Sequence, residues 1–389
     1  MLRDFLSNQT KRNQSKKSLY QLIHREGPIS KVELLKLFTV PQTTLTRMIT
    51  ELEGNGWLCS GEIGQPNGGR PPILYKVEAN AGHLIGIEIA RIHVQVLLLD
   101  LEFKVIDRER FFLTLDHTPE ITIPLILSDM RKLLQRNCLS VEGIIGVGIG
   151  AVGPLNREKG LIINPESFLA KGWNDVDIVS EINKEFAVPI VLNNGGNTAA
   201  IAEYHAQSFT KENLLYSISG YGIRCGYIQA GTSLNSRQGD ASSYGHMIVN
   251  PEGRLCSCGK KGCLNAYSSF GAMFERISER NCSVVVKSTD QLIEALHQKN
   301  QVVVDVVYEA AYYYGLAVAN MMNLLHPDLV ILQGKLIEES ESFFNKVTEV
   351  AMKYKYSNSI HVTSIQKGYL GRDATAIGAG IEVFNSLFD

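Results

Sequence analysis

The residues with the plainest chemistry are His246, Cys256, Cys258 and Cys263. His246 precedes Cys256 by ten positions, Cys258 follows two later, and Cys263 five beyond that. One imidazole and three thiolates fill a tetrahedral shell and leave no open position, so this set points to structural zinc rather than a catalytic metal. Thiolates also select zinc over magnesium or calcium. Gly259 and Gly262 allow the tight turn that wraps ligands around an ion. Cys59, Cys138, Cys225 and Cys282 are scattered. Seven cysteines in a chain of 389 residues do not suggest a disulfide framework.

A second group suits nucleic-acid contact. Gln42, Thr43, Thr44 and Arg47 lie on or beside one polar face of a helix whose opposite face is Leu45, Met48, Ile49 and Leu52, at i, i+3, i+4, i+7 spacing. Gln and Arg can each bond bidentately to a base edge, and Thr can bond phosphate or touch a thymine methyl. Two helices come before it. Residues 18–26 carry Leu19, Leu22 and Ile23 on one face and end at Gly27-Pro28. The next begins at Ser30 with Glu33 three residues on, a capping box, and buries Leu34, Leu35 and Phe38. Gly54-Asn55-Gly56 ends the third helix. Residues 57–60 and 73–77 then read as strands, separated by a Gly- and Pro-rich segment holding Gly69-Arg70-Pro71. Three helices and a hairpin make a winged helix-turn-helix over residues 1–78. Arg70 at the wing tip suits a narrow minor groove.

Charge distribution agrees with this reading. The net charge is −2, yet residues 1–78 hold 11 Lys+Arg against 7 Asp+Glu and the remainder 27 against 33. A basic module therefore sits on an acidic body. No apolar run in the sequence reaches the ~18 residues of a membrane span and the first residues carry no secretory pattern, so a cytoplasmic location is expected.

Residues 79–389 alternate strands and helices. Residues 84–89 and 93–100 read as paired strands, and glycine-rich turns follow the strands at 144–149 and 216–219. This is an α/β architecture large enough for two lobes. Its segments resemble the ROK family, which unites repressors and sugar kinases on an actin-like, ribonuclease-H-like fold. The resemblance rests on Gly146-Val147-Gly148-Ile149-Gly150-Ala151-Val152-Gly153-Pro154-Leu155, on Asn194-Gly195-Gly196-Asn197-Thr198-Ala199-Ala200, and on Asn323-Leu324-Leu325-His326-Pro327-Asp328. Its most specific segment is Gly245-His246 with Cys256-Ser257-Cys258-Gly259-Lys260-Lys261-Gly262-Cys263-Leu264.

The resemblance implies a kinase body with its catalytic residues gone. A first phosphate turn of the form Asp-x-Gly-x-Thr is here Glu88-Ile89-Ala90-Arg91-Ile92. A second, Gly-Thr-Gly-x-Gly, is here Gly220-Tyr221-Gly222-Ile223-Arg224. The position of the catalytic Asp is Gly195, and no Asp or Glu occurs between Phe186 and Ala202 to replace a base. Two sugar-binding Glu positions are Ser243 and Asn265. Asn194, Ser243, His246 and Asn265 are then the implied effector contacts, for a sugar, a sugar phosphate, or no ligand. The expectation is a non-enzymatic repressor of carbohydrate-linked genes, binding a double-stranded operator as a homodimer or homotetramer. The alternatives are an active sugar kinase with a regulatory head, or a repressor answering to a protein partner.

Overall fold

Side-chain pattern and capping set the N-terminal elements. The computed structural model describes residues 1–8, 10–63, 71–165, 168–207, 212–234, 241–281, 284–356 and 362–388. Helices α1 (Leu2–Ser7) and α2 (Lys11–Glu26) precede strand β1 (Ile29–Ser30), helices α3 (Lys31–Leu37) and α4 (Gln42–Gly54), and strands β2 (Leu58–Ile63) and β3 (Ile73–Val77). Ser30 caps α3: its backbone N–H donates to Glu33 Oε2 at 2.9 Å, while its hydroxyl accepts from the Glu33 N–H at 3.3 Å. In α4 the stripe Leu45, Met48, Ile49 and Leu52 is buried. The three strands pair antiparallel in the order β1-β3-β2.

The body repeats one sheet topology. Strands β4 (His83–Ile89), β5 (His93–Leu99) and β6 (Val105–Phe112) form an antiparallel meander. Helix α5 (Pro119–Arg136) leads to β7 (Ile144–Ala151), parallel to β4. A small sheet of β8 (Leu155–Asn156), β9 (Leu161–Ile162) and β10 (Val176–Asp177) and the short helix α6 (Ile178–Asn183) lead to β11 (Ile190–Asn194), parallel to β7. The sheet order is β11-β7-β4-β5-β6.

Helix α7 (Gly195–Ala206) crosses to a second meander, β12 (Asn213–Ile218), β13 (Arg224–Gln229) and β14 (Thr232–Ser233). Helices α8 (Asn265–Ser268), α9 (Phe270–Arg280), α10 (Thr289–His297) and α11 (Gln301–Leu325) follow. Then come β15 (Leu329–Gln333), α12 (Lys335–Glu339), α13 (Glu341–Tyr354), β16 (Ser364–Lys367) and α14 (Ala374–Ser386). The order β14-β13-β12-β15-β16 is the same third-second-first-fourth-fifth arrangement as in the first sheet.

Helices α7 and α14 pack together between the sheets at backbone distance. A β-carbon on Gly148 would lie 1.8 Å from the Ala379 carbonyl oxygen, and one on Gly378 would lie 1.7 Å from that of Thr198. Glycine is required at both, because α14 could not otherwise approach β7 at the first or α7 at the second. Helix α11 is long and apolar enough to pass for a membrane span, which the sequence reading did not anticipate. Here it is a core helix, burying Val303, Val307, Ala311, Tyr314 and Val318.

One hydrophobic core joins the N-terminal elements to the body. Leu2, Leu6, Tyr20 and Ile23 share a cluster with Leu101, Ile145, Phe384 and Leu387. His24 Nε2 donates to the Leu101 carbonyl at 2.6 Å, and its ring lies 4.5 Å from Phe384 and 5.0 Å from Phe103. Phe103 in turn meets His205 edge-on at 5.3 Å. Burial lowers the pKa of both imidazoles, that of His205 to about 3, with His24 adding repulsion. Burial therefore favours the neutral form of both, most strongly at His205.

The unfolded chain takes up protons on these rings near the ordinary histidine value of about 6.5, where the folded chain takes up fewer. Their contribution to stability is thus complete above that value and falls as the pH drops below it. Denaturant unfolding at pH 7 and pH 5 should show this loss, and His205→Gln should make the difference smaller. An unchanged difference would mean that His205 is not held neutral.

Candidate functional site

The histidine and three cysteines come together as ligands would. Their donor atoms all lie within 4.8 Å of one another. Cys258 Sγ is 3.6 Å from Cys263 Sγ, and Cys256 Sγ is 3.6 Å from His246 Nδ1. A tetrahedral ion with ordinary metal–sulfur and metal–nitrogen bonds sets edges of about 3.8 Å between thiolates and about 3.6 Å between thiolate and imidazole. The observed spacings match. Isolated bridges Ile248–Cys263 and Leu255–Lys261 hold the loop, and the Gly259 N–H donates to the Cys256 carbonyl at 2.9 Å. Gly262, at φ +80°, lies so near Asn250 that a β-carbon would sit 1.9 Å from its carbonyl oxygen. Burial and the adjacent Cys258 and Cys256 push the Cys263 thiol up to about 12, a repulsion that a dication would reverse.

A second set of residues lies where the β4–β5 and β12–β13 turns approach each other. The β4–β5 turn carries Arg91 and the β12–β13 turn carries Gly222. Arg91 is buried, and its guanidinium lies 3.0–3.2 Å from the position a β-carbon on Gly222 would take. It therefore bridges the two turns and fills the space between them. Glu88, at the end of β4, is buried and accepts from His93 Nε2 at 3.2 Å. Burial opposes its ionisation, but His93, Arg224 and the Thr375 hydroxyl outweigh that and hold its carboxyl below the usual range. Gln95 Nε2 donates to Asp373 Oδ1 at 2.5 Å, and Arg108 pairs with Asp373 at 3.1 Å.

Helix α7 opens at Gly195 with no side-chain cap and no acidic residue in its first turn. The Arg224 NH1 reaches within 3.7 Å of the position of a Gly195 β-carbon. Asn265 Oδ1 accepts from the Ile223 N–H at 2.9 Å and so fixes the residue beside Arg224. Its carboxamide also abuts Gly245, the neighbour of His246. Asn194 is buried at the end of β11, while Ser243 is exposed. Asn265 thus sits against the neighbour of His246 and beside the residue before Arg224, while Ser243 faces solvent. On α4, Gln42, Thr43 and Arg47 are exposed and Thr44 is half-buried. Arg70 lies outside the described residues. Sequence reasoning passed over Arg91 and Arg224 as side chains with a role. The signal available was a guanidinium in each of the two phosphate turns.

A duplicated α/β body with α7 and α14 between its sheets and a helical N-terminal module defines the class to which the comparisons point. Residues 84–383 match the ROK family, and the chain belongs to it. It is 25% identical over 376 residues to the xylose repressor of Bacillus spizizenii, covering 96% of each chain. Among solved structures it resembles a ROK family transcriptional regulator, a homologue of the E. coli MLC protein. The TM-score there is 0.79 at 19% identity, over 99% of this chain and 97% of that one. It also resembles the ROK hexokinase from Thermus thermophilus, with a TM-score of 0.66 and 20% identity, over 78% of this chain and 99% of the hexokinase. The fold is accordingly the ROK sugar-kinase-like α/β fold with mixed sheets.

Proposed function

We propose that this protein is a DNA-binding, sugar-responsive transcriptional repressor acting in the cytoplasm, with a winged helix-turn-helix head over residues 1–78 and an actin-like body over 79–389 that no longer phosphorylates sugars. The observation that carries the proposal is α4: an exposed face of Gln42, Thr43 and Arg47 over a fully buried Leu45–Leu52 stripe. A polar face on the last of three short helices is what major-groove readout needs, and Arg70 in the wing would follow the minor groove. The near full-length match to a xylose repressor supports the same reading. Two-fold operators require two heads about 34 Å apart or a multiple of that, so the working unit is a dimer or tetramer.

The body supports an effector site rather than an active one. Phosphoryl transfer needs a carboxylate near the acceptor hydroxyl, and Gly195 offers none. Arg91 stands between the two turns that would cradle nucleotide phosphates. Asn194, Asn265 and Ser243 offer neutral hydrogen-bonding groups to a carbohydrate. Zinc in the His246, Cys256, Cys258 and Cys263 cluster would brace the wall that Asn265 and Gly245 share. A closed site of this kind adds directly to folding free energy.

Elemental analysis should find one zinc per chain, lost together with thermal stability in Cys258→Ser. The same wild-type preparation should not turn over ATP with hexoses or amino sugars. Wild-type protein free of zinc, or turnover at about 1 per second or more, would overturn these two readings respectively.

The DNA reading is tested with duplexes that the protein selects from a random pool. Arg47→Ala should weaken binding to the selected duplex by roughly 1–3 kcal/mol and relax preference at one base pair. A variant that binds and discriminates like wild type would remove Arg47 from the groove.

A further inference from the structure

We infer that the junction between the N-terminal module and the body holds a further small-molecule site, suited to a neutral polyhydroxylated compound of more than one ring, a disaccharide or a glycoside, and separate from the effector contacts at Asn194 and Asn265. The binding claim stands on the junction itself. Its effect on DNA rests on the reading of residues 1–78 as a DNA-binding head.

A cavity of about 1120 Å³ lies where three parts of the chain meet. Helix α2 and strand β3 of the N-terminal module form one side. The β5–β6 turn and the end of α14 form a second, and α7 with the β13–β14 hairpin a third. Gln21, Arg25 and Thr232 are exposed at its rim, so it opens to solvent. Ligand cavities usually run to roughly 300–1,000 Å³, and this one has room for more than a single six-membered ring. Asn194, Ser243 and Asn265 do not line it.

Unpaired polar atoms gather at this cavity. Among the described residues, nine buried side-chain nitrogen and oxygen atoms have no hydrogen-bond partner. Three of them, Arg157 Nε, Ser233 Oγ and Glu382 Oε2, belong to residues that line it. Buried polar groups rarely go unpaired. Asn193 Nδ2 donates to Glu382 Oε1 at 2.6 Å, and Arg157 stands 3.7 Å from the same oxygen. Burial still pushes the carboxyl up, as suits a carboxylate short of one donor. The guanidinium can only donate and the carboxylate only accept, so their missing partner must do both, as a hydroxyl does. A small turn of each side chain brings its free atom onto a ligand in the cavity.

The charges around it ask for a neutral molecule. Arg157 has Glu382 beside it, Arg25 pairs with Glu26 at 2.7 Å, and Lys76 is near enough to Glu102 to lower its pKa. An anion would answer Arg157 and face Glu382, and a cation would do the reverse. Ile23, Phe103, Ile201 and Phe384 supply apolar surface against which the C–H face of a ring loses water. A polyhydroxylated ring compound meets both demands in one molecule. Lodged there, it touches α2 on one side and α14 on the other. It therefore biases the position of the head by as much as it prefers one arrangement.

The test is calorimetric titration of the full-length protein with cellobiose, xylobiose, maltose and phenyl β-glucoside, beside glucose and xylose as single-ring parents. At least one two-ring probe should bind about 10-fold or more tighter than its parent. Glu382→Gln keeps an acceptor for Asn193 but loses the charge, and Thr232→Trp crowds the rim. Each should weaken that probe about 10-fold or more. Asn265→Ala, a change at the effector contacts, should spare it. Thr232 is exposed on an edge strand, so its variant carries the comparison should Glu382→Gln fail to fold. The bound probe should also shift the protein's affinity for its selected duplex.

If no two-ring probe binds, or if binding survives both Glu382→Gln and Thr232→Trp, the site is overturned. Binding that Asn265→Ala removes would overturn it too, placing the probe at the effector contacts and leaving the proposed function standing. A probe held at the junction that leaves duplex affinity unchanged would overturn its action on the head. Failure to select any duplex would instead remove the DNA-binding reading, on which the calorimetric result does not depend.

Discussion

The packing of α14 is the interaction on which the rest depends. Its N-terminal end lies in the cleft, where Thr375 hydrogen-bonds Glu88. Its middle is pressed against α7 and β7 at distances only Gly148 and Gly378 allow. Its C-terminal end carries Phe384 onto His24, and Phe388 follows onto Tyr20. A helix of 13 residues spans about 20 Å at the usual rise. One rigid element therefore touches both the region of the proposed effector site and α2, a helix of the proposed DNA-binding head. Closely packed interiors transmit strain, and α14 runs unbroken from Thr375 to Phe384.

That geometry gives the protein a physical route from ligand to DNA. Turns from the two lobes approach each other, with Arg91 of the first against Gly222 of the second and Arg224 beside the start of α7. A ligand held by both fixes the angle between the lobes. The N-terminal module sits on the first lobe through Arg3, which donates to the Ile144 carbonyl at 3.4 Å, and through His24 on Leu101. His24 also meets Phe103, which in turn meets His205 on α7. A ligand can shift the head only by as much as it prefers one lobe arrangement over another, and the contacts of α2 lie where such a preference would be felt.

Much of this was legible in the sequence where local rules govern. The α4 stripe, the Ser30–Glu33 box and the cysteine spacing each follow from periodicity or coordination chemistry, and the structure places them accordingly. The start of α2 was not legible, and α1 was missed. Residues 11–17 are polar, and among the described side chains there the buried ones are Asn13 and Lys17. Asn13 is buried because its side chain donates to the Phe5 carbonyl at 2.6 Å, and Lys17 because it lies over the Phe388 ring. Those partners come from another helix and from the far end of the chain, so no local pattern could announce them. Arg91 and Arg224 escaped for the same reason. Each looks like a surface charge until the topology sets it against a glycine from a distant segment, Gly222 or Gly195.

The central claim is that cleft and head share one equilibrium. It is tested most directly by measuring the protein's affinity for its selected duplex with and without a saturating cleft ligand, and the ligand's affinity with and without saturating duplex. Linkage requires both ratios to be equal. The account predicts a common factor of about 5–150. A ligand that binds the cleft tightly and leaves DNA affinity unchanged would contradict it.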